Sequence, residues 1–268
     1  MALRPFQSLR ALPGFGLLPA VALSLGLAAG AVALPAPVQA EEALTPEQAE
    51  AVRALVRQTL IDNPEILTEA FDVLKAKQQL EEQNRVKSLI SELGEVLTHP
   101  EGLPVMGNPD GDITVVEFSD YRCGYCKRVF PGLMEVVEGD GNVRLVVHEY
   151  PILGEQSVYA ARAALASIPQ GDDKYEAFHQ ALMAHRGDYT EAVVMDVATQ
   201  VGLDTEQLKA DMTDPEIDKS IARGFQLAQA LNISGTPAFI VGETFIPGAM
   251  GPDALRQFIA EERAKKDG

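Results

Sequence analysis

VVEFSDYRCGYCKRVFP, residues 115–131, holds both cysteines of the 268-residue chain, Cys123 and Cys126. The run Ile113 to Phe118 is β-branched and apolar on both faces except at Thr114 and Glu117, the pattern of a central strand covered on both sides. From Gly124 to Val137 the period becomes helical, with Val129, Phe130, Leu133, Val136 and Val137 apolar. A strand therefore delivers the chain into Cys-x-x-Cys at the start of a helix, which is more specific than the cysteine spacing alone. Unpaired N–H groups and the dipole at a helix N-terminus favour a thiolate, so Cys123 is the expected nucleophile. Cys126, three residues on, faces the same side of the first turn and is placed to resolve a mixed disulfide.

Other uses of the pair fit less well. A structural bridge between Cys123 and Cys126 would close a loop too short to constrain the unfolded chain much. Two thiolates can hold Cu(I), but a structural zinc takes four ligands, and His99, His148, His179 and His185 show no ligand spacing beside the cysteines. No metal is expected, and no cofactor beyond a redox-active disulfide. A Cys-His hydrolase would need a paired base, and no motif nominates one.

Residues 1–40 contain Arg4, Arg10, no acidic residue and an apolar core from Leu17 to Leu34, ending in Val38-Gln39-Ala40. They read as a signal peptide cleaved after Ala40. A core of about 18 residues is long for a signal, so an uncleaved membrane anchor is the alternative. Both readings place the remainder outside the cytoplasm, in a periplasm-like oxidising space where disulfides persist. Removing the leader takes two positive charges from a net −17 and leaves −19. Such a surface repels phosphate backbones and argues against nucleic-acid partners, while it favours solubility and basic or unfolded protein partners.

Residues 41–100 read as a helical arm. Thr45-Pro46-Glu47-Gln48 is a helix start with Thr as cap and Gln at the capping-box position, and Val52, Leu55, Val56 and Leu60 share a face. Asp62-Asn63-Pro64-Glu65 stops this helix and opens a second, whose 66, 70, 73, 80 spacing is a partial heptad interrupted by Lys77, Asn84 and Lys87. The arm is read as a self-association stalk; the alternative is a helical hairpin packed on the domain behind it. His99-Pro100-Glu101-Gly102 closes it.

Residues 101–268 form the main domain. Asn108-Pro109-Asp110-Gly111 marks a turn between two strands, and Val143 to Leu153 reads as a further strand. Residues from about 155 to 231 are helix-rich, with caps expected at Thr190, Thr205 and Asp214. Two short strands around Gly242-Glu243 and a helix from about Pro252 to Lys265 close the chain. The order describes an α/β fold with a helical domain inserted between its halves.

Three stretches carry a resemblance: VVEFSDYRCGYCKRVFP, HEYPILGEQSVYAARAALA (148–166) and ISGTPAFIVG (233–242). The chain resembles the DsbA-like branch of the thioredoxin superfamily, exported thiol-disulfide oxidoreductases with a helical insertion. With its arm it is most similar to suppressor-of-copper-sensitivity C proteins and Com1-type surface antigens. The resemblance implies that Cys123 is exposed, that Cys126 is its buried partner, and that Pro237, preceded by Thr236, is a cis-proline beside them that docks substrate. It places Glu117 as a buried acid beneath the site, able to relay the Cys126 proton or to pair with Lys127 for structure. Asp120 and Lys127 are expected in solvent. Gly124-Tyr125 replaces the Pro-His of strongly oxidising relatives, and Thr236 stands where oxidases tend to carry Val. Both point to a disulfide isomerase or reductase, and a Val at 236 is expected to make the couple more oxidising. A dithiol oxidase is one alternative, and a non-catalytic copper-binding or surface-antigen protein is another. The resemblance further implies misoxidised exported substrates, a membrane-bound redox partner, a homotrimer and a link to copper tolerance.

Overall fold

The computed structural model describes residues 44–98, 102–103 and 105–266. The leader, its cleavage site and most of the expected arm-closing turn at 99–101 lie outside them. The chain divides into two compact units, the first ending at Asn63 and the second beginning at Pro64.

The first unit holds one described helix, α1 (Pro46–Asp62). Thr45 and Gln48 form the expected capping box, each side chain bonded to the other's backbone N–H, which satisfies two otherwise orphaned donors. None of its residues is buried, and Leu55, Val52 and Val56 are exposed.

The second unit opens with α2 (Glu65–Glu92) and α3 (Gly94–Thr98). A five-stranded sheet follows in the order β1 (Val105–Gly107), β3 (Val143–Glu149), β2 (Ile113–Ser119), β4 (Ala238–Val241), β5 (Thr244–Pro247). Only β2 and β3 run parallel, and α4 (Gly124–Asp140) connects them. The turn at Asn108–Gly111 therefore joins strands that do not pair with each other: β1 crosses to the far side of β3. The insertion consists of α5 (Glu155–Ser167), α6 (Asp172–Ala184), α7 (Glu191–Gln200), α8 (Thr205–Asp211) and α9 (Pro215–Ala230), and α10 (Pro252–Lys266) ends the fold. Thr190 and Asp214 cap their helices as expected, but α8 is capped by Asp204, whose carboxylate accepts from Glu206 N and Gln207 N. Thr205 is the first residue inside that helix.

Alternation along β2 splits its side chains between two cores. Ile113 and Val115 face α4, α10 and the insertion. Val116 and Phe118 face the other way, onto Val86 and Ile90 of α2, Leu97 of α3 and Leu227 and Leu231 around the end of α9. The C-terminal part of α2 thus packs on the sheet, while Ile66, Leu67, Phe71, Val73, Leu74 and Leu80 of the same helix stay exposed.

Candidate active site

The end of β2, the first turn of α4 and the start of β4 meet at the cysteines. Cys123 is the N-cap of α4; the Cys126 N–H donates to its Sγ at 3.5 Å, so the sulfur occupies the position of a capping oxygen. The Thr236–Pro237 peptide is cis, and the Thr236 carbonyl lies 3.2 Å from Cys123 Sγ. Both cysteines are free thiols. Cys126 is completely buried, and Cys123 is only 6% exposed, far more covered than an exposed nucleophile was expected to be, because the loop at Thr236 closes over it.

The electrostatics distinguish the two sulfurs. The Cys126 thiol, followed by the Thr236 side chain and the N–H groups of Cys126 and Tyr125, stabilises a thiolate at Cys123 and holds its pKa down to about 5 against the cost of burial. The Cys126 thiol is pushed far up by its bond to Cys123, by burial and by the charge of Glu117. Glu117 is fully buried on β2, and burial raises its carboxyl to about 7; Ser119 Oγ donates to its Oε1 at 3.0 Å. Glu117 makes no bond to Lys127. Gly124 and Tyr125 are exposed on the first turn, with the Arg128 guanidinium 5.0 Å from the centre of the Tyr125 ring.

Two expectations fail here. Asp120 is buried, its carboxylate accepting from Arg122 N at 2.7 Å and Leu153 N at 3.0 Å, which ties down the loop ahead of Cys123. Lys127 is also buried. Its Nζ donates to Tyr189 Oη at 2.6 Å and to the His185 carbonyl, and burial lowers its pKa to about 8. Apart from Arg122, the partners of both residues come from the insertion or the segment leading into it, which roofs the site with residues that local sequence does not reveal.

Sequence reasoning missed a polar cluster beneath this roof. Tyr121 Oη lies 3.0 Å from Glu149 Oε1 and 2.7 Å from His179 Nδ1, and all three residues are buried. Tyr189 Oη lies within bonding distance of the Tyr121 and Leu182 carbonyls. The one available signal was Glu149 itself, a carboxylate closing the strand Val143–His148, which is apolar except at Arg144 and His148.

A strand ending in paired thiols, one activated and one buried, beside a cis-proline loop on a mixed sheet with a helical insertion, defines a thiol-disulfide oxidoreductase of thioredoxin fold. The DSBA-like thioredoxin domain family matches residues 114–260, more than half of the chain, and the chain belongs to that family. The copper resistance protein ScsC N-terminal domain family matches residues 48–81. Among solved structures, the chain is similar to a thioredoxin-like oxidoreductase from Silicibacter pomeroyi DSS-3, at 48% identity over 63% of this chain and 97% of that one, with a TM-score of 0.61. It is also similar to a linker-deletion mutant of Proteus mirabilis ScsC, at 31% identity over 84% of this chain and all of that one, with a TM-score of 0.63. A curated relative is the Na(+)/H(+) antiporter NhaA 1 of Salinispora arenicola, 30% identical over 157 residues; the match takes in 58% of this chain but only 24% of the antiporter's length.

Proposed function

We propose that this thiol-disulfide exchange protein works as an exported disulfide isomerase and reductase on misoxidised proteins. The observation that carries the reading is the setting of Cys123: its sulfur caps α4 and accepts from the Cys126 N–H, hydrogen bonds hold its pKa down to about 5, and no imidazole stands in the Gly124-Tyr125 dipeptide. A pKa of about 5 falls between the ~3.5 of a dedicated oxidase and the ~7 of thioredoxin.

The Cys123 thiolate attacks one sulfur of a substrate disulfide; that S–S bond breaks, a mixed disulfide forms and the other substrate sulfur leaves as thiolate. In isomerisation a second substrate thiolate attacks the mixed disulfide and returns the Cys123 thiolate, with no net electron transfer. In reduction the Cys126 thiol gives its proton to the Glu117 carboxylate and attacks Cys123 Sγ. The second substrate thiolate leaves, two electrons pass to the substrate, and the pair ends as a disulfide. Pro237, with Thr236, would dock the substrate strand beside Cys123.

Residues 1–40 serve as the export signal in this reading, cleaved after Ala40 to leave a periplasmic protein, and residues 41–100 as the arm that assembles a homotrimer. Several thiolates then face one trapped substrate at raised local concentration. The exposed apolar residues of α1 and the first half of α2 support this arm, because such patches mark interaction surfaces. A membrane-bound reductant would reset the pair, and a role in copper tolerance would follow from the match at 48–81.

A dithiol oxidase is the competing reading, and one contact favours it. The Thr236 side chain stabilises the thiolate, hence the reduced form, so it makes the couple more oxidising, not less. This runs against the direction that the resemblance implies for a Val at that position. Equilibration with a glutathione buffer tests the reading: an isomerase-like couple is half reduced in a mildly reducing mixture, whereas a couple that stays reduced until the buffer is strongly oxidising identifies an oxidase.

A further inference from the structure

The exchange reaction uses one buried carboxyl, but the fold places two. Ser119 and Glu149 are direct partners across the parallel β2–β3 pair, and Glu117 precedes Ser119 by two residues. All three therefore point to the same face, the one carrying Val115, Leu145, Val147 and Cys126. Glu117 and Glu149 are separated by one strand spacing, about 4.8 Å, and two residues along the strand, roughly 6.6 Å, within reach of two glutamate side chains. Glu117 Oε2, Glu149 Oε2 and His179 Nε2 are buried without a partner among the described residues.

The groups facing this corner are Glu117 from β2, Asp120 and Tyr121 from the loop after it, Cys123 and Cys126 from the first turn of α4, and Tyr175 and His179 from α6. From α9 comes the backbone of Gly224, packed so closely on the Glu149 carbonyl that a Cβ there would sit 2.2 Å from it; the neighbouring Arg223 acts on His148, on the opposite face of β3. Arg122 is bonded to the Leu153 carbonyl and Lys127 to His185 and Tyr189. Among the described residues neither carboxyl has a hydrogen-bonded cation.

Two carboxyls in one apolar corner without a cation do not both ionise. The Tyr121 hydroxyl has one hydrogen and two neighbours, Glu149 Oε1 and His179 Nδ1. Tyr121 donates to Glu149 Oε1 when that carboxyl is ionised, with His179 Nδ1–H donating to Tyr121; with the proton on Glu149 the two bonds run the other way and leave the His179 Nε2 hydrogen without an acceptor. Glu117 accepts from Ser119, as a carboxylate should.

We infer that Glu117 and Glu149 act as one acid pair sharing a single negative charge, and that Glu149 is a positioning residue that tunes the Glu117 carboxylate available to Cys126. Burial raises Glu149 well above the carboxylate range against the Tyr121 hydrogen bond, which lowers it, with Asp120 and Glu117 adding to the rise; burial also holds His179 down to about 3 and hence neutral. Removing Glu117 then moves the charge instead of abolishing it, because Glu149 no longer faces an ionised neighbour.

The function assigned to the pair rests on the exchange reading, but its protonation does not, so the test separates the two. Infrared spectroscopy of the reduced full-length protein should show a protonated-carboxyl C=O band that persists above pH 8, is absent in Glu149→Gln, titrates at lower pH in Glu117→Gln, and changes frequency in Tyr121→Phe. Alongside, the rate at which Cys126 resolves a preformed mixed disulfide should fall on the order of tenfold in Glu117→Gln, with its pH-dependent limb retained but displaced upward, and on the order of a hundredfold in the double variant, with the limb gone. No protonated-carboxyl band above pH 8 in the unmodified protein, or a limb already abolished by Glu117→Gln alone, overturns the inference. Should a variant fail to fold, the titration of the unmodified protein still decides. Loss of all exchange reading with the band intact would refute only the assigned reaction.

Discussion

Along α1 no residue is buried and Leu55 stands 67% exposed, whereas at the cysteine corner Glu117, Ser119, Glu149 and His179 are all 2% exposed or less. The helix leaves apolar groups in water and the corner takes polar groups out of it. Each costs stability when the chain is considered alone, since apolar surface in water and unpaired polar atoms in the core are both unfavourable. Sequences depart from local consistency in this way at functional sites. The comparison separates two kinds of site: the helix offers apolar surface to a partner, as the proposed arm requires, while the corner encloses the groups that the proposed exchange reaction would protonate and deprotonate.

The largest expected effect breaks the corner. Cys123→Ser should lower exchange with a model disulfide by at least about a thousandfold, since a serine hydroxyl does not ionise where this thiol does. Residual exchange near the original rate, read by loss of a chromogenic disulfide, would move the chemistry elsewhere. The next breaks the helix side. A chain lacking residues 41–80 keeps Val86, Ile90 and Leu97, which the second core needs, and should remain folded. It should sediment as a single chain, exchange small disulfides within about twofold of the intact protein, and lose repair of scrambled substrates by on the order of a hundredfold. An unchanged oligomer would remove the arm argument.

How far these features were legible in the sequence follows the same division. α1, β2, the cysteine pair, β4 and α10 were readable because period-2 and period-3.6 patterns and, for α1, the Thr45 cap act over a few residues. The packing of α2 was not, because Lys87 lies between Val86 and Ile90 and the mostly polar stretch before them resembles a solvated arm. Lys127 and Asp120 read as surface residues because Tyr189 and Leu153, which enclose them, lie 62 and 33 residues away in sequence. Asp204 and Thr205 are consecutive cap-forming residues, and the local pattern does not choose between them. Glu149 was visible only as the end of a strand; its burial comes from Tyr121, His179 and Gly224, three distant segments.

Two smaller effects sharpen the corner. Glu117 is fully buried with its pKa raised from 4.5 to about 7. A raised carboxyl costs no stability below its unfolded pKa; the cost grows as pH rises from there to the folded value and is constant above. At pH 8 it approaches about 3 kcal/mol. Glu117→Gln should therefore raise the denaturation midpoint at pH 8, by less than that full cost because Glu149 takes up part of the charge, and leave it unchanged near pH 4; equal effects at both pH values would show the carboxyl is not buried in this way. Cys123 shifts in the opposite sense. Its depressed pKa stabilises the reduced protein fully above the ordinary thiol value of about 8.5, and that stabilisation is lost as pH falls through about 5. Thr236→Val removes one contributor to this shift and should make the couple less oxidising by about fivefold in its equilibrium constant with glutathione. A shift in the oxidising direction would restore the expectation drawn from the resemblance.

The most direct test of the central claim is refolding of a scrambled, fully oxidised test protein by the purified chain starting at Glu41, in a glutathione buffer, with Cys123→Ser in parallel. The account predicts recovery of native activity that depends on Cys123. Rapid oxidation of a reduced substrate with no rescue of the scrambled one would contradict it and identify an oxidase.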